Sequence, residues 1–203
     1  LEMTMVTISK TNIANLALSN IHARSTIQSL TENSTEARLA KLWYDHARRQ
    51  ALAEFDWGFA RIRQALAEHS VAAPTNEWNY RYQYPALCLA PRYIENPAGL
   101  DADSPPMSTV NAGDGTISIV TDAEDAVLLF TSDVETVALF TPHFVTTLSF
   151  LLAFYIAGPI TSKDKIKQNM IGAYFANVNV AAAHDANQSV PRAPREAEII
   201  RGR

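Results

Sequence analysis

The feature that most constrains the fold is an apolar stretch from Phe144 to Ala157. Thr141 and Pro142 stand just before it, and a hydroxyl residue followed by proline is a typical helix start. The stretch is shorter than the roughly 20 residues that cross a bilayer, and hydroxyl side chains interrupt it. We therefore predict a buried core helix that ends at Gly158-Pro159, and no contact with a membrane.

Three more helices are predicted from apolar residues that recur at three- and four-residue spacing. They cover Ser9–Ala23, Asn33–Phe55 and Ser162–Ala183, and the second begins with Asn33 as its cap. A shorter helical pattern runs from Phe59 to His69. Helices of this kind bury one face, and the expected core residues are Trp43, Trp57, Phe150 and Phe154.

The middle of the chain changes to the period-two alternation of half-buried strands. Strands are predicted over Asn79–Tyr84 and Cys88–Glu95, where Pro91 restricts the second to a sheet edge or a bulge. Two more, Thr116–Thr121 and Ala126–Thr131, are separated by a short acidic turn. Their spacing predicts a hairpin.

A polar stretch from Asn96 to Thr116 is rich in Pro, Gly, Asp and Ser. Long structureless stretches inside a domain are usually functional or disordered. We expect a projecting loop at a contact with a neighbouring protein. The residues assigned to this projecting loop are Asp101, Asp103, Pro105, Pro106 and Asp114.

The C-terminal segment 189–203 contains two prolines, so it cannot simply continue the preceding helix. It also carries an apolar isoleucine pair among arginines, a pattern typical of an arm that docks into a groove on another chain. The residues assigned to this docking arm are Pro191, Arg192, Pro194, Arg195, Ile199, Ile200, Arg201 and Arg203.

These patterns predict one α+β domain over residues 1–203, mainly α. A bundle of about four long helices would cover residues 8–70 and 133–188. A small antiparallel β module with the long loop would be inserted at residues 78–131, and the arm would follow.

Motifs for catalysis or cofactor binding are missing from the sequence. The 17 basic and 21 acidic residues give a net charge of −4, which argues against a protein whose main task is to grip phosphates. The single cysteine, Cys88, cannot form an internal disulfide or a cysteine-based zinc site. None of the five histidines has metal-ligand spacing. We predict no catalytic residues, no metal and no cofactor.

The order of several short motifs resembles the tail tubular protein A family, the head-to-tail adaptor or gatekeeper-ring proteins of short-tailed bacteriophages. In chain order the motifs are Ala17–Ile21, Ile27–Ala37, Trp43-Tyr44-Asp45, Ala47-Arg48-Arg49, Phe55–Ala60, Tyr84–Leu89 and Phe140-x-Pro142-x-Phe144. They touch about three quarters of the chain. The Asn96–Thr116 loop and the C-terminal arm follow no fixed family pattern.

The resemblance implies a structural virion protein without catalytic residues, made in the host cytoplasm and located in the tail. Twelve copies would form a ring between the portal protein and the tail nozzle protein. Genomic DNA would pass through the lumen without sequence-specific binding, which suits an acidic chain. The docking arm would meet the portal.

Two other classes of function stay open. One is an enzyme whose site is assembled from scattered residues. The other is a DNA-binding regulator, which is less favoured because the sequence has no basic helix that would read a groove.

Overall fold

A computed structural model describes residues 8–74, 77–96 and 103–188. Within them the chain forms four α-helices, six β-strands and two short 3₁₀ turns. The helices are α1 (Lys10–Asn20), α2 (Thr35–Glu54), α3 (Pro142–Thr161) and α4 (Asp164–Gln188). The strands are β1 (Arg61–Ala65), β2 (Tyr80–Gln83), β3 (Cys88–Ile94), β4 (Met107–Asn111), β5 (Ile117–Thr121) and β6 (Val127–Ser132).

Helix α3 is the centre of the helical layer, and α1, α2 and α4 all pack against it. The Thr141 side chain accepts a hydrogen bond from the Phe144 amide, so the predicted helix start is confirmed. By length and composition alone α3 could cross a membrane, as many core helices of soluble proteins could. Here 56% of the most apolar 18-residue segment of α3 is buried within the fold.

The end of α3 differs from the prediction. The helix continues past Gly158-Pro159 to Thr161, because a proline in the last turn removes one amide donor without stopping the helix. It ends where Ser162 adopts a left-handed conformation (φ 53°) and donates its amide to the Gly158 carbonyl.

Serines cap the first two helices. Ser9 accepts the Asn12 amide at the start of α1, and Ser34 accepts the Ala37 amide at the start of α2. The prediction of Asn33 as the second cap is therefore wrong by one residue. Both residue types can cap a helix, and the loop geometry selects Ser34.

The strands form two antiparallel three-stranded sheets, in the orders β1-β6-β3 and β2-β5-β4. A second hydrophobic core lies between them, separate from the helical core. Its buried members are Leu66, Tyr82, Ile94, Ile119, Ala126, Leu128 and Phe130.

The predicted bundle of four long helices with a small β insert is wrong, although the α+β class is correct. Helix α1 has 11 residues, and the β region extends from Arg61 to Ser132 with its own core. Its first strand, β1, lies inside the predicted Phe59–His69 helix. Pairing of Ile62 with Phe130 on β6 outweighs the local helical spacing there.

The predicted hairpin of the last two strands is also wrong. Strand β5 pairs with β2 and β4, whereas β6 pairs with β1 and β3. The short turn between them, where Asp125 has φ 50°, carries the chain from one sheet to the other. The strands predicted over Asn79–Tyr84 and Cys88–Glu95 are present, as β2 and β3. Pro91 lies beside register shifts typical of bulges.

Part of the predicted Asn96–Thr116 loop is a strand. Met107–Asn111 forms β4 and pairs with β5 along its whole length, because a paired neighbour supplies the hydrogen bonds that composition alone does not predict. Residues 97–102 lie outside the described residues.

One of the four predicted core side chains is fully buried. Trp57 is 4% exposed and donates its indole N–H to the Ala51 carbonyl at 2.8 Å. Trp43, Phe150 and Phe154 are half-buried instead, at the edges of the helical core. Trp43 stacks on the Tyr155 ring at 4.7 Å, since its position on α2 faces the rim of α3.

A buried arginine joins α2 to the chain that leaves β6. Arg48 is 2% exposed, and its guanidinium donates to the Asp133 carboxylate and to the Val134 carbonyl. Burial of a charge is tolerated when it is paired and hydrogen-bonded. This contact fixes the path from the sheet into α3.

A second arginine closes the end of α2. From β3, Arg92 donates to the carbonyls of Leu52, Ala53 and Phe55 at 3.3, 2.9 and 2.8 Å, and to the Thr131 hydroxyl at 2.8 Å. Carbonyls at a helix C-terminus lack intrahelical donors. Arg92 therefore satisfies the end of α2 from the neighbouring sheet.

Replacing Arg92 by alanine should lower the free energy of unfolding by roughly 2–4 kcal/mol, because several carbonyls lose a charged donor at once. Arg63→Ala is the matched control in the same sheet, since Arg63 is exposed and paired with Glu95. It should cost much less, because an exposed ion pair contributes little to stability. Urea unfolding of both variants measures the difference, and equal losses would contradict the capping role.

Candidate interaction surface

The predicted docking arm, Pro191–Arg203, lies outside the described residues, as does Asp101 of the predicted loop. The described loop residues surround strand β4. Asp103 and Pro106 are exposed and Pro105 is half-buried. Their backbone is held in place: the Asp103 carbonyl accepts from the Asn96 side-chain Nδ2 at 2.7 Å, and the Pro106 carbonyl accepts from the Thr121 hydroxyl at 2.8 Å.

The last loop residue, Asp114, lies in the tight turn between β4 and β5. Gly113 and Gly115 on either side have φ near +89° and +88°, where a side chain would be strained. The Asp114 carboxylate accepts from the Thr116 amide at 2.9 Å and from its hydroxyl at 2.6 Å. These bonds lower the pKa of Asp114.

His69 approaches the same turn, and its arrangement differs from that of a catalytic base. Its Nε2 lies 3.1 Å from the Thr116 hydroxyl and 3.7 Å from the Asp114 carboxylate. Its Nδ1 accepts the Val71 amide at 3.0 Å, so in the neutral ring the proton is on Nε2. A protonated Nε2 donates to Thr116 and cannot activate the hydroxyl as a nucleophile.

The described surface of α4 has a long uncharged face. No Asp, Glu, Lys or Arg occurs from Gln168 to His184. Two large apolar side chains project from it, Phe175 at 51% and Val180 at 57% exposure. The other exposed positions on this face are Gln168, Asn169, Gly172, Ala176, Asn179 and Ala183. We call this set of residues the α4 outer face.

The opposite side of α4 packs on α3 through residues such as Tyr174, which is fully buried. Burial raises the pKa of the Tyr174 hydroxyl, which disfavours its ionised form. The tyrosine therefore serves packing. The α4 outer face, by contrast, is exposed in the structure.

A cleft of about 460 Å³ opens where α3 begins and α4 approaches its end. Trp57, Phe59 and Thr141 line it, and two imidazoles meet there. The ring centroids of His143 and His184 lie 4.7 Å apart. Within the described part of the chain, neither ring has a hydrogen-bond partner.

The single thiol is poorly suited to nucleophilic chemistry. Cys88 is half-buried at the start of β3, and burial raises the pKa of its thiol even though Tyr84 and Arg92 act in the other direction. The thiolate, which is the reactive form, is disfavoured there. Among the residues described, no group of three or more His, Cys, Asp or Glu side chains is placed to hold a metal.

The two features of α4 differ in how far the sequence could have indicated them. The run without charge from Gln168 to His184 is visible in the sequence itself. The approach of His143 to His184 depends on how α4 folds back along α3, so no local pattern signals it.

Comparisons with known proteins do not assign the chain to a class. No protein-family model matches it, and no curated protein matches it.

The Asp114 turn gives a pH-dependent prediction. A carboxyl with a lowered pKa in the folded state stabilises the turn above its unfolded pKa of about 3.9, and that contribution is lost as the pH falls through the folded pKa. The Thr116 amide resonance should therefore titrate with a midpoint below the usual aspartate value. An NMR titration between pH 2 and pH 7, with roughly 0.5-unit steps, measures it. Asp114→Asn should remove the transition, and a midpoint at or above the usual value would contradict the hydrogen-bond assignment.

Proposed function

We propose that the chain is the head-to-tail adaptor subunit of a short-tailed bacteriophage, similar to the tail tubular protein A family. In this proposal it is a structural virion protein of the tail, it needs no cofactor, and it is not an enzyme. The observation that carries the proposal is the α4 outer face, a long uncharged surface with exposed Phe175 and Val180.

The occupant that best fits this face is another copy of the same chain. Each copy has a net charge of −4, so copies repel one another wherever their charged surfaces meet. They associate with least electrostatic cost at a surface without charge. Interfaces of permanent assemblies are also depleted of charged residues at their cores.

A closed ring needs two different patches on each subunit, because its contacts are head-to-tail. The α4 outer face is one patch. Exposed leucines on the other two helices that pack on α3 supply the second: Leu16 on α1 is 46% exposed and Leu42 on α2 is 67% exposed. In this proposal the ring has twelve copies.

The remaining assignments extend the predictions made from the composition of the arm, the loop and the whole chain. The Pro191–Arg203 arm docks on the portal protein, with its isoleucines in a groove and its arginines on carboxylates. The loop that precedes β4 contacts a neighbouring subunit or the tail nozzle protein. Genomic DNA passes through a lumen that does not hold it tightly, as expected for an acidic chain.

The α4 outer face is tested by placing a charge in it. Phe175→Asp and Val180→Asp should fold normally because both side chains are exposed. Each should weaken association between copies by at least about 2 kcal/mol, since an apolar contact is lost and a carboxylate is buried. Sedimentation and mass measurement of the purified protein, alone and mixed with portal particles, report the assembly.

Ile117→Asp is the matched control. Ile117 is 55% exposed on β5, outside the helical layer, and takes the same substitution. We expect the wild-type protein and this control to form rings and the two α4 variants to stay smaller. If all three variants assemble alike, the α4 outer face is not the interface. A wild-type chain that stays monomeric even with portal particles would contradict the adaptor proposal itself.

A further inference from the structure

We propose that His143 and His184 form a binding site for a divalent transition-metal ion of the Zn²⁺, Cu²⁺ or Ni²⁺ type. The site lies in the cleft between the start of α3 and the last turns of α4. The inference is independent of the adaptor proposal, because it rests on the two side chains and their surroundings alone.

The separation of the two rings suits chelation. Imidazole nitrogens bind zinc at about 2.0–2.1 Å, so two imidazoles on one tetrahedral ion place their ring centroids roughly 5 Å apart. The observed centroid distance is 4.7 Å, with an angle of 48° between the rings. Rotation about the side-chain bonds can aim one nitrogen of each ring at a shared ion without moving either helix.

Both rings are available as ligands. Neither has a hydrogen-bond partner among the described residues, so binding an ion breaks no hydrogen bond there and alters only the contact between the two rings. His184 is exposed and His143 is half-buried, which opens the pair to ions from solvent. The cleft of about 460 Å³ leaves space for water molecules on the remaining coordination positions.

The lining of the cleft selects the class of ion. Among the side chains that the structure describes, those that line the cleft include no carboxylate and no Lys or Arg. Hard cations such as Mg²⁺ and Ca²⁺ need oxygen ligands, and the described side chains of the cleft offer no carboxylate. Imidazole nitrogen is a preferred ligand of Zn²⁺, Cu²⁺ and Ni²⁺.

A bound ion would connect two parts of the chain that are far apart in sequence. His143 lies in the first turn of α3, and His184 lies near the end of α4. The link would hold the last turns of α4 against α3, and those turns lead directly into the predicted docking arm. Metal binding should therefore slow amide hydrogen exchange in the last turns of α4.

The test uses the full chain with Zn²⁺ and with Cu²⁺ as probes. Calorimetry measures Zn²⁺ affinity, and electron paramagnetic resonance of bound Cu²⁺ reports coupling to imidazole nitrogens. The variants are His184→Gln, which changes an exposed side chain, and His143→Gln. The control is His22→Asn, which removes a histidine outside the cleft at a left-handed position that asparagine tolerates.

We expect the wild-type protein and the His22→Asn control to bind one ion, with two nitrogens coupled to Cu²⁺. Each glutamine variant should bind the ion at least about tenfold more weakly. Removing a group that only orients a metal ligand typically weakens metal binding about tenfold or more, and removing the ligand itself should weaken it at least as much. Slowed exchange in the last turns of α4 should disappear in His184→Gln. The proposal is overturned if the wild-type protein binds no Zn²⁺ at millimolar concentration, or if the glutamine variants bind as tightly as the control.

Discussion

The buried guanidinium of Arg48 is the contact on which the arrangement of the two layers depends. It lies on α2 in the helical layer, and its partners, the Asp133 carboxylate and the Val134 carbonyl, lie where the chain leaves β6. Removing one partner of such a buried pair typically costs 3–5 kcal/mol, because a charge is left without compensation. The chain that enters α3 is thereby placed beside α2. Arg92 adds a second link between the layers. It lies on β3 in the sheet and donates to backbone carbonyls at the end of α2. Together the two arginines hold α2 against β3 and against the chain that leaves β6.

Sequence patterns predict the features that short segments determine by themselves. The start of α3 is one, because Thr141 and Pro142 are adjacent to the turn that they cap. Two of the rings that contact the buried Trp57, those of Phe55 and Phe59, are also close to it in sequence. The errors occur where a distant partner decides the outcome. Strand β1 has helical spacing, yet it becomes a strand because β6 is available to pair with it. Strands β5 and β6 are close in sequence and join different sheets for the same reason.

The two candidate sites on α4 also depend partly on local sequence and partly on distant packing. The uncharged run on α4 is a property of consecutive residues, whereas the face that it presents depends on how α4 packs against α3. The meeting of His143 and His184 depends on that packing entirely. Both features lie on α4, one on its outer face and one at its end. In the proposed ring, α4 would therefore contact a neighbouring copy along its length, and a metal ion would steady the turns that precede the docking arm.

The central claim is that the α4 outer face is covered by another copy of the chain in the working assembly. An electron cryo-microscopy reconstruction of rings assembled on portal particles tests it most directly, because it locates every helix of the subunit. The account predicts that Phe175 and Val180 of each copy are buried against α1 and α2 of the next copy. A ring in which α4 faces solvent or the DNA channel, with subunits joined through the β-sheets, would contradict it.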